Sequence, residues 1–316
     1  MLEAIGLFVL GLVLLALGGD SIIKGASGLA RHFGLSPLVA GLLLVAFGTS
    51  LPELAINLQA IASGQSDLAL GNAVGSNIVN FGLTLGAAAL AAPLLVQWRA
   101  LSPLLLCLIG GTAATIALGW DGRLGRIDGL VLLAAFFAVV AFAILRTRNE
   151  SAQLMQRIEA FTHTGNDLGL NLVRFGIAVV LLYFGSRWVV GSAPAIGERL
   201  GMLPLMTGLL PVAIGSALPE VAAAVMAARR GQGDMVVGHV IGSSLFNLLL
   251  IVGGMAAWST LALPVTFVRF ELPATLVLAL MLYPMLRGDL AVSRREGGIL
   301  LAAFVAWFGY ELLTLG

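Results

Sequence analysis

The sequence predicts an all-α polytopic membrane protein with ten transmembrane helices in two inverted five-helix repeats. Three observations predict it. Of 316 residues, 59% are hydrophobic and only 10% are charged, against roughly a quarter charged in soluble domains. Apolar segments of the ~20 residues that a helix needs to cross a bilayer recur from end to end. The second half also repeats the first at an offset of 167 residues, an internal symmetry that constrains any fold.

The ten spans fall near residues 4–23, 36–62, 68–92, 101–119, 127–145, 170–191, 203–228, 235–258, 269–287 and 297–315, each set by its hydropathy and ended by short polar breaks. The first follows Met1, Leu2 and Glu3 with no basic stretch or small-residue cleavage site, so it reads as a retained helix. The one sizeable polar connection is 146–168, RTRNESAQLMQRIEAFTHTGNDL. It divides the chain into a first repeat at 1–145 and a second at 169–316.

Basic residues near span ends are retained on the cytoplasmic side. Lys24, Arg31, Arg99, Arg146, Arg148, Arg157, Arg174, Arg229, Arg230, Arg287, Arg294 and Arg295 fall on one face, against Arg123, Arg126, Arg187, Arg199 and Arg269 on the other. The linker is therefore expected in the cytoplasm and both termini outside, in a cell's inner (plasma) membrane. A net charge of +1 gives no reason to expect nucleic acid as a partner, and the lone Cys107 excludes a disulfide framework or a cysteine metal cluster. No nucleophile and base stand together as a hydrolase needs, and His163 lies in the linker, so no enzyme and no cofactor are expected. The partners are inorganic cations and the bilayer, and a monomer is compatible with the sequence.

The repeat is ungapped where it is most informative. Residues 37–53, PLVAGLLLVAFGTSLPE, align with 204–220, PLMTGLLPVAIGSALPE, and the same register pairs Asp67 with Asp234, Gly71 with Gly238, Gly75 with Gly242, Ser76 with Ser243 and Asn80 with Asn247. Five spans per repeat force the second copy to enter the membrane upside down. That is the plan of secondary transporters, with the substrate site at the repeat interface near the midplane.

Glu53 and Glu220 occupy equivalent positions inside their spans, where an acidic side chain costs at least about 2.5 kcal/mol. One such residue could simply hydrogen-bond two helices together; a symmetric pair points to a shared ion site. Each follows a Gly-to-Pro run, Gly48 to Pro52 and Gly215 to Pro219, expected to disrupt the helix and free backbone carbonyls at Thr49 and Ser216. Ser76 and Asn80, like Ser243 and Asn247, are four apart and share a helix face. The glycine spacings Gly71/Gly75 and Gly238/Gly242 suit close helix packing. Carboxylate, hydroxyl, amide and carbonyl oxygens suit a hard cation. Two carboxylates in a poorly solvated site resist moving empty, which predicts exchange.

At these residues the chain resembles the sodium/calcium exchanger family of the cation/calcium antiporters, in its compact prokaryotic form. GTSLPE and GNAVGSNIVN are the first repeat's signatures, and the likeness spans the chain. The resemblance implies antiport of Ca²⁺ against Na⁺ by alternating access. It implies Glu53 and Glu220 as central Ca²⁺ ligands with the Thr49 and Ser216 carbonyls, and Asn80 and Asn247 completing the centre. It further implies Na⁺ sites from Ser50, Ser76 and the Ala46 carbonyl on one side, and Ser243 with the Ala213 carbonyl on the other. The second repeat departs from the pattern. Ala217 stands where the family has a coordinating hydroxyl, Ser244 replaces Asn, and His239 replaces the Asn seen as Asn72. The alternative driver is H⁺, with Ca²⁺ or Mn²⁺ on the same two glutamates. His239 is expected as a packing or interfacial residue near the start of span eight, with proton sensing as the other reading.

Overall fold

The computed structural model describes residues 1–32, 50–147, 167–288 and 290–314. Most of the linker, including His163, and residues 33–49, including Ala46 and Thr49, lie outside the described residues. Within them the chain forms ten helices: α1 Leu2–His32, α2 Leu51–Ala62, α3 Ser66–Ala91, α4 Trp98–Leu118, α5 Arg126–Thr147, α6 Leu168–Arg199, α7 Pro204–Arg229, α8 Gly233–Trp258, α9 Phe267–Gly288 and α10 Arg294–Thr314. All but α2 are long and apolar enough to cross a membrane; α2 is the described end of expected span two. The equivalent helices α1 and α6 run to 31 and 32 residues, about 46–48 Å at 1.5 Å per residue. They exceed the expected 4–23 and 170–191 because their polar C-terminal turns stay helical beyond the apolar stretch.

Burial sorts the helices into an inner and an outer set. In α3 and α8, 83% and 72% of the apolar window is buried, against 17–28% in α1, α4, α5, α6 and α10. On α1 the exposed residues Ile5, Val9, Val13 and Leu17 recur at one helix turn, while Phe8, Leu15 and Ile22 face inward. Such an apolar outer stripe is the surface that lipid covers.

Repeat symmetry appears directly in the packing. α1 and α6 run antiparallel, with Gly18 against Leu182 and its equivalent Gly185 against Leu15. Gly129 of α5 lies on the backbone of Gly253–Ala257 in α8, and its counterpart Gly297 of α10 lies on Gly86–Leu90 in α3. Two small antiparallel pairs obey the same operation: β1 (Leu94–Leu95) with β4 (Ala291–Val292), and β2 (Arg123–Leu124) with β3 (Leu261–Ala262). These strands are an addition to the all-helical expectation; each clamps a loop of one half to a loop of the other. The register drifts to 168 by the last span, where Asp128 accepts from the Gly125 amide and Glu296 from the Ser293 amide at 2.8 Å each.

The proline runs behave differently from expectation in the second half. α7 remains helical through Pro219, and the departure from α geometry comes earlier, as a π-helical stretch at Gly208–Val212. Proline there removes one hydrogen bond without breaking the helix, because neighbouring helices hold the segment. In the first half α2 starts at Leu51, with Pro52 in its first turn, where no amide is needed.

Candidate functional site

The inner helices α2, α3, α7 and α8 carry the described members of the expected site. π-helical stretches at Asn80–Leu85 in α3 and Phe246–Val252 in α8 fall at equivalent places and contain Asn80 and Asn247. An extra residue in a turn rotates the following helix face, and such bulges concentrate at functional sites. The approach between halves is set by glycine: a Cβ on Gly71 or Gly75 of α3 would strike the α7 backbone at Leu205 and Leu209, and one on Gly208 of α7 would strike the α3 backbone at Leu68 and Asn72. These glycines are packing devices, as their spacing suggested.

Glu53 is 1% exposed and Glu220 has a side chain 12% exposed. The two carboxylates are close enough to interact electrostatically, so the structure brings the two halves' acids to one locality. Ser50 donates to Ser243 Oγ at 2.9 Å, and Asn80 Nδ2 donates to the same oxygen at 3.2 Å. Asn247 Nδ2 donates to Asn77 Oδ1 at 3.2 Å, Asn77 Nδ2 to the Ser244 carbonyl at 3.2 Å, and Ser216 Oγ to the Ala213 carbonyl at 3.2 Å. With both amide NH₂ groups engaged, Asn80 and Asn247 are left with their oxygens. Those oxygens, Glu53 Oε2, Glu220 Oε1, Ser76 Oγ and Ser244 Oγ are all buried without a hydrogen-bond partner. Asn57 Nδ2 on α2 and Asn72 Oδ1 on α3 are unpartnered as well. Buried polar atoms are almost always satisfied, and the oxygens among these are donors that suit a hard cation.

The flanking hydroxyls, expected as Ser50 with Ser76 on one side and Ser243 on the other, show one contact that crosses the halves, Ser50 to Ser243. The symmetric contact would join Ser76 to residue 217, which is alanine, and Ser76 Oγ is accordingly an orphan. His239 lies near the start of α8, as expected; it stands one turn before Ser243, largely buried, with Nε2 3.5 Å from Glu220 Oε2. Its equivalent Asn72 instead donates to Asn57 at 3.2 Å. Among the described residues no three His, Cys, Asp or Glu side chains form a metal cluster, so hydroxyl, amide and carbonyl oxygens are needed to complete any shell.

Two further membrane carboxyls went unremarked in the sequence. Glu271 of α9 and Glu311 of α10 are each 1% exposed and interact electrostatically, beside the Phe270–Tyr310 ring contact at 4.3 Å. Both fall inside expected spans, so the cost argument applied to Glu53 and Glu220 could have found them. A cleft of about 500 Å³ opens at one end of the molecule between residues 64–68 and 194–207, with Asp67 and Glu198 in its lining.

Inverted repeats crossing at a buried, oxygen-lined centre define a secondary transporter of cations. The family model for the sodium/calcium exchanger protein matches residues 3–145 and again 170–312, and the chain belongs to that family. It is a membrane cation antiporter, not an enzyme. Inner membrane protein YrbG of Escherichia coli K12 is 36% identical over 260 residues, 80% of this chain and 79% of that protein. Putative antiporter CaxA of Alkalimonas amylolytica is 32% identical over 99% of each chain. The sodium-calcium exchanger NCX_Mj, in crystals soaked with 2.5 mM Na⁺ and 10 mM Sr²⁺, superposes with a TM-score of 0.68 at 30% identity over 97% of this chain and 98% of that one.

Proposed function

We propose that the protein exchanges Ca²⁺ for Na⁺ across an inner (plasma) membrane by alternating access, with the termini outside, the 146–168 linker in the cytoplasm and one five-helix repeat on each side of it. Glu53 and Glu220 hold Ca²⁺ with the Asn80 and Asn247 amide oxygens and the Thr49 and Ser216 carbonyls. Na⁺ uses the surrounding hydroxyls and carbonyls, with Ser50 and Ser243 on one flank and Ser76 on the other. Ala46 and Ala213 lend carbonyl oxygens. The observation that carries this reading is the orphaned oxygen set around two carboxylates from opposite halves. An uncompensated carboxylate pair opposes movement through a low-dielectric barrier, so the site switches access when one Ca²⁺ or two monovalent cations neutralise it. That requirement gives exchange rather than free conduction. Family membership and the likeness to NCX_Mj support the choice of ions.

The H⁺-driven alternative, with Ca²⁺ or Mn²⁺ as cargo, is favoured by one observation: Ala217 leaves the Ser76 flank without its second hydroxyl, so that flank offers Na⁺ a poorer shell. Proteoliposomes separate the two readings. Ca²⁺ uptake should follow an imposed Na⁺ gradient and fall to the level of empty vesicles in Glu53→Gln and Glu220→Gln, with both variants still monodisperse. Uptake that follows a pH gradient and ignores Na⁺ would establish the alternative, and uptake surviving both substitutions would remove the site.

A further inference from the structure

His239, Ser243 and Asn247 are spaced four apart on α8 and form one stripe toward the centre, as Asn72, Ser76 and Asn80 do on α3. The stripes differ in their first member. In α3 the amide of Asn72 turns to Asn57; in α8 the imidazole stands 3.5 Å from a Glu220 carboxylate oxygen. The position equivalent to Asn57 is Ala224, which carries no amide. We infer that His239 is a selectivity-determining residue: its ring nitrogen joins Glu220 in holding divalent ions and tilts the site from Ca²⁺ toward nitrogen-accepting metals of the Zn²⁺ class. This deepens the proposed site and rests on Glu220 being a cation ligand.

Geometry and ligand chemistry agree. Two donors each about 2.1 Å from one small divalent ion lie about 3.4 Å apart around a tetrahedral centre and about 3.0 Å apart around an octahedral one. The observed 3.5 Å is near the tetrahedral edge and long for a strong charge-assisted hydrogen bond. Ca²⁺ prefers an all-oxygen shell at 2.3–2.6 Å, whereas imidazole suits Zn²⁺ and related late first-row ions; Mn²⁺ keeps to carboxylate, carbonyl and water oxygens and lies at the weak end of the first-row order. An oxygen-only site built on an asparagine pair would lack this bias. Glu220 Oε1 has no hydrogen-bond partner, so it too is open to the ion that Oε2 would share with the imidazole.

The test is equilibrium binding of Zn²⁺ to the purified full-length protein in detergent, read by competition with a chromogenic zinc chelator, with Ca²⁺ affinity from the matching competition with a calcium chelator. His239→Asn restores the residue type of the first repeat. It should weaken Zn²⁺ at least about tenfold more than Ca²⁺, the scale on which loss of a supporting metal partner is felt. His239→Gln, longer and still folded if the bundle tolerates an amide, should do the same. Equal effects on both ions in both variants overturn the inference and leave the site intact. Ca²⁺ and Zn²⁺ binding that persists in Glu220→Gln overturns the site itself, and the inference with it.

Discussion

At the scale of single residues the informative contrast is between Ser50 and Ala217. These are equivalent positions; Ser50 meets Ser243, and the repeat symmetry sets Ala217 opposite Ser76. Where the hydroxyl exists it bonds across the halves at 2.9 Å; where it is missing, the opposite serine is buried with no partner. Ala217→Ser should close that gap. A new hydrogen bond or ligand of about 0.5–1.5 kcal/mol corresponds to roughly a 2- to 10-fold lower Na⁺ concentration at half-maximal Ca²⁺ exchange, measured in proteoliposomes. An unchanged Na⁺ dependence would show that the Ser76 flank does not bind Na⁺. The loss of this hydroxyl was legible in the sequence, because the repeats could be laid over each other. Which serine it would have met was not, since periodicity assigns a residue to a helix face and says nothing of the face opposite. The closeness of His239 to Glu220 was not legible for the same reason: it depends on how α7 and α8 are turned toward each other.

At the scale of elements, helix registry is held by glycines whose replacement meets backbone rather than movable side chains. Gly129 is the clearest case, pressed on the main chain of α8 at Ala256 and Ala257, with its counterpart Gly297 pressed on α3. Gly129→Ala should destabilise the protein by about 1–3 kcal/mol, the usual cost of overpacking, read as a lower thermal unfolding midpoint in detergent. Gly254→Ala is the control. No atom lies within 4 Å of its added methyl, and removing glycine's unfolded-state freedom should leave stability unchanged or raise it by about 0.4–1 kcal/mol. If the two variants melt alike, the close contact between α5 and α8 is not what holds them. Hydropathy found these helices because burial in lipid requires long apolar runs. It missed the π-helical stretches at Asn80 and Phe246 and the extension of α1 and α6, because hydrogen-bond register leaves no trace in composition.

At the scale of the molecule, the two halves are repeats in sequence but not separable units in space. The fifth helix of each half packs on the third helix of the other, and each short strand pair joins one strand from each half. The carboxylates follow this plan, Glu53 coming from one half and Glu220 from the other. A chain cut within 146–168 tests it. Residues 1–145 and 169–316 expressed separately should each lack high-affinity Ca²⁺ binding, since each holds one central glutamate and exposes apolar helix faces normally covered by its partner. Coexpressed, they should copurify and recover Ca²⁺ exchange, because the cross-packing between α3, α5, α8 and α10 survives the cut and the linker contributes only proximity. Exchange by either half alone would mean that two copies of one repeat can build the site. In that case the differences between halves, Ala217 and His239 among them, would not be needed for exchange to occur.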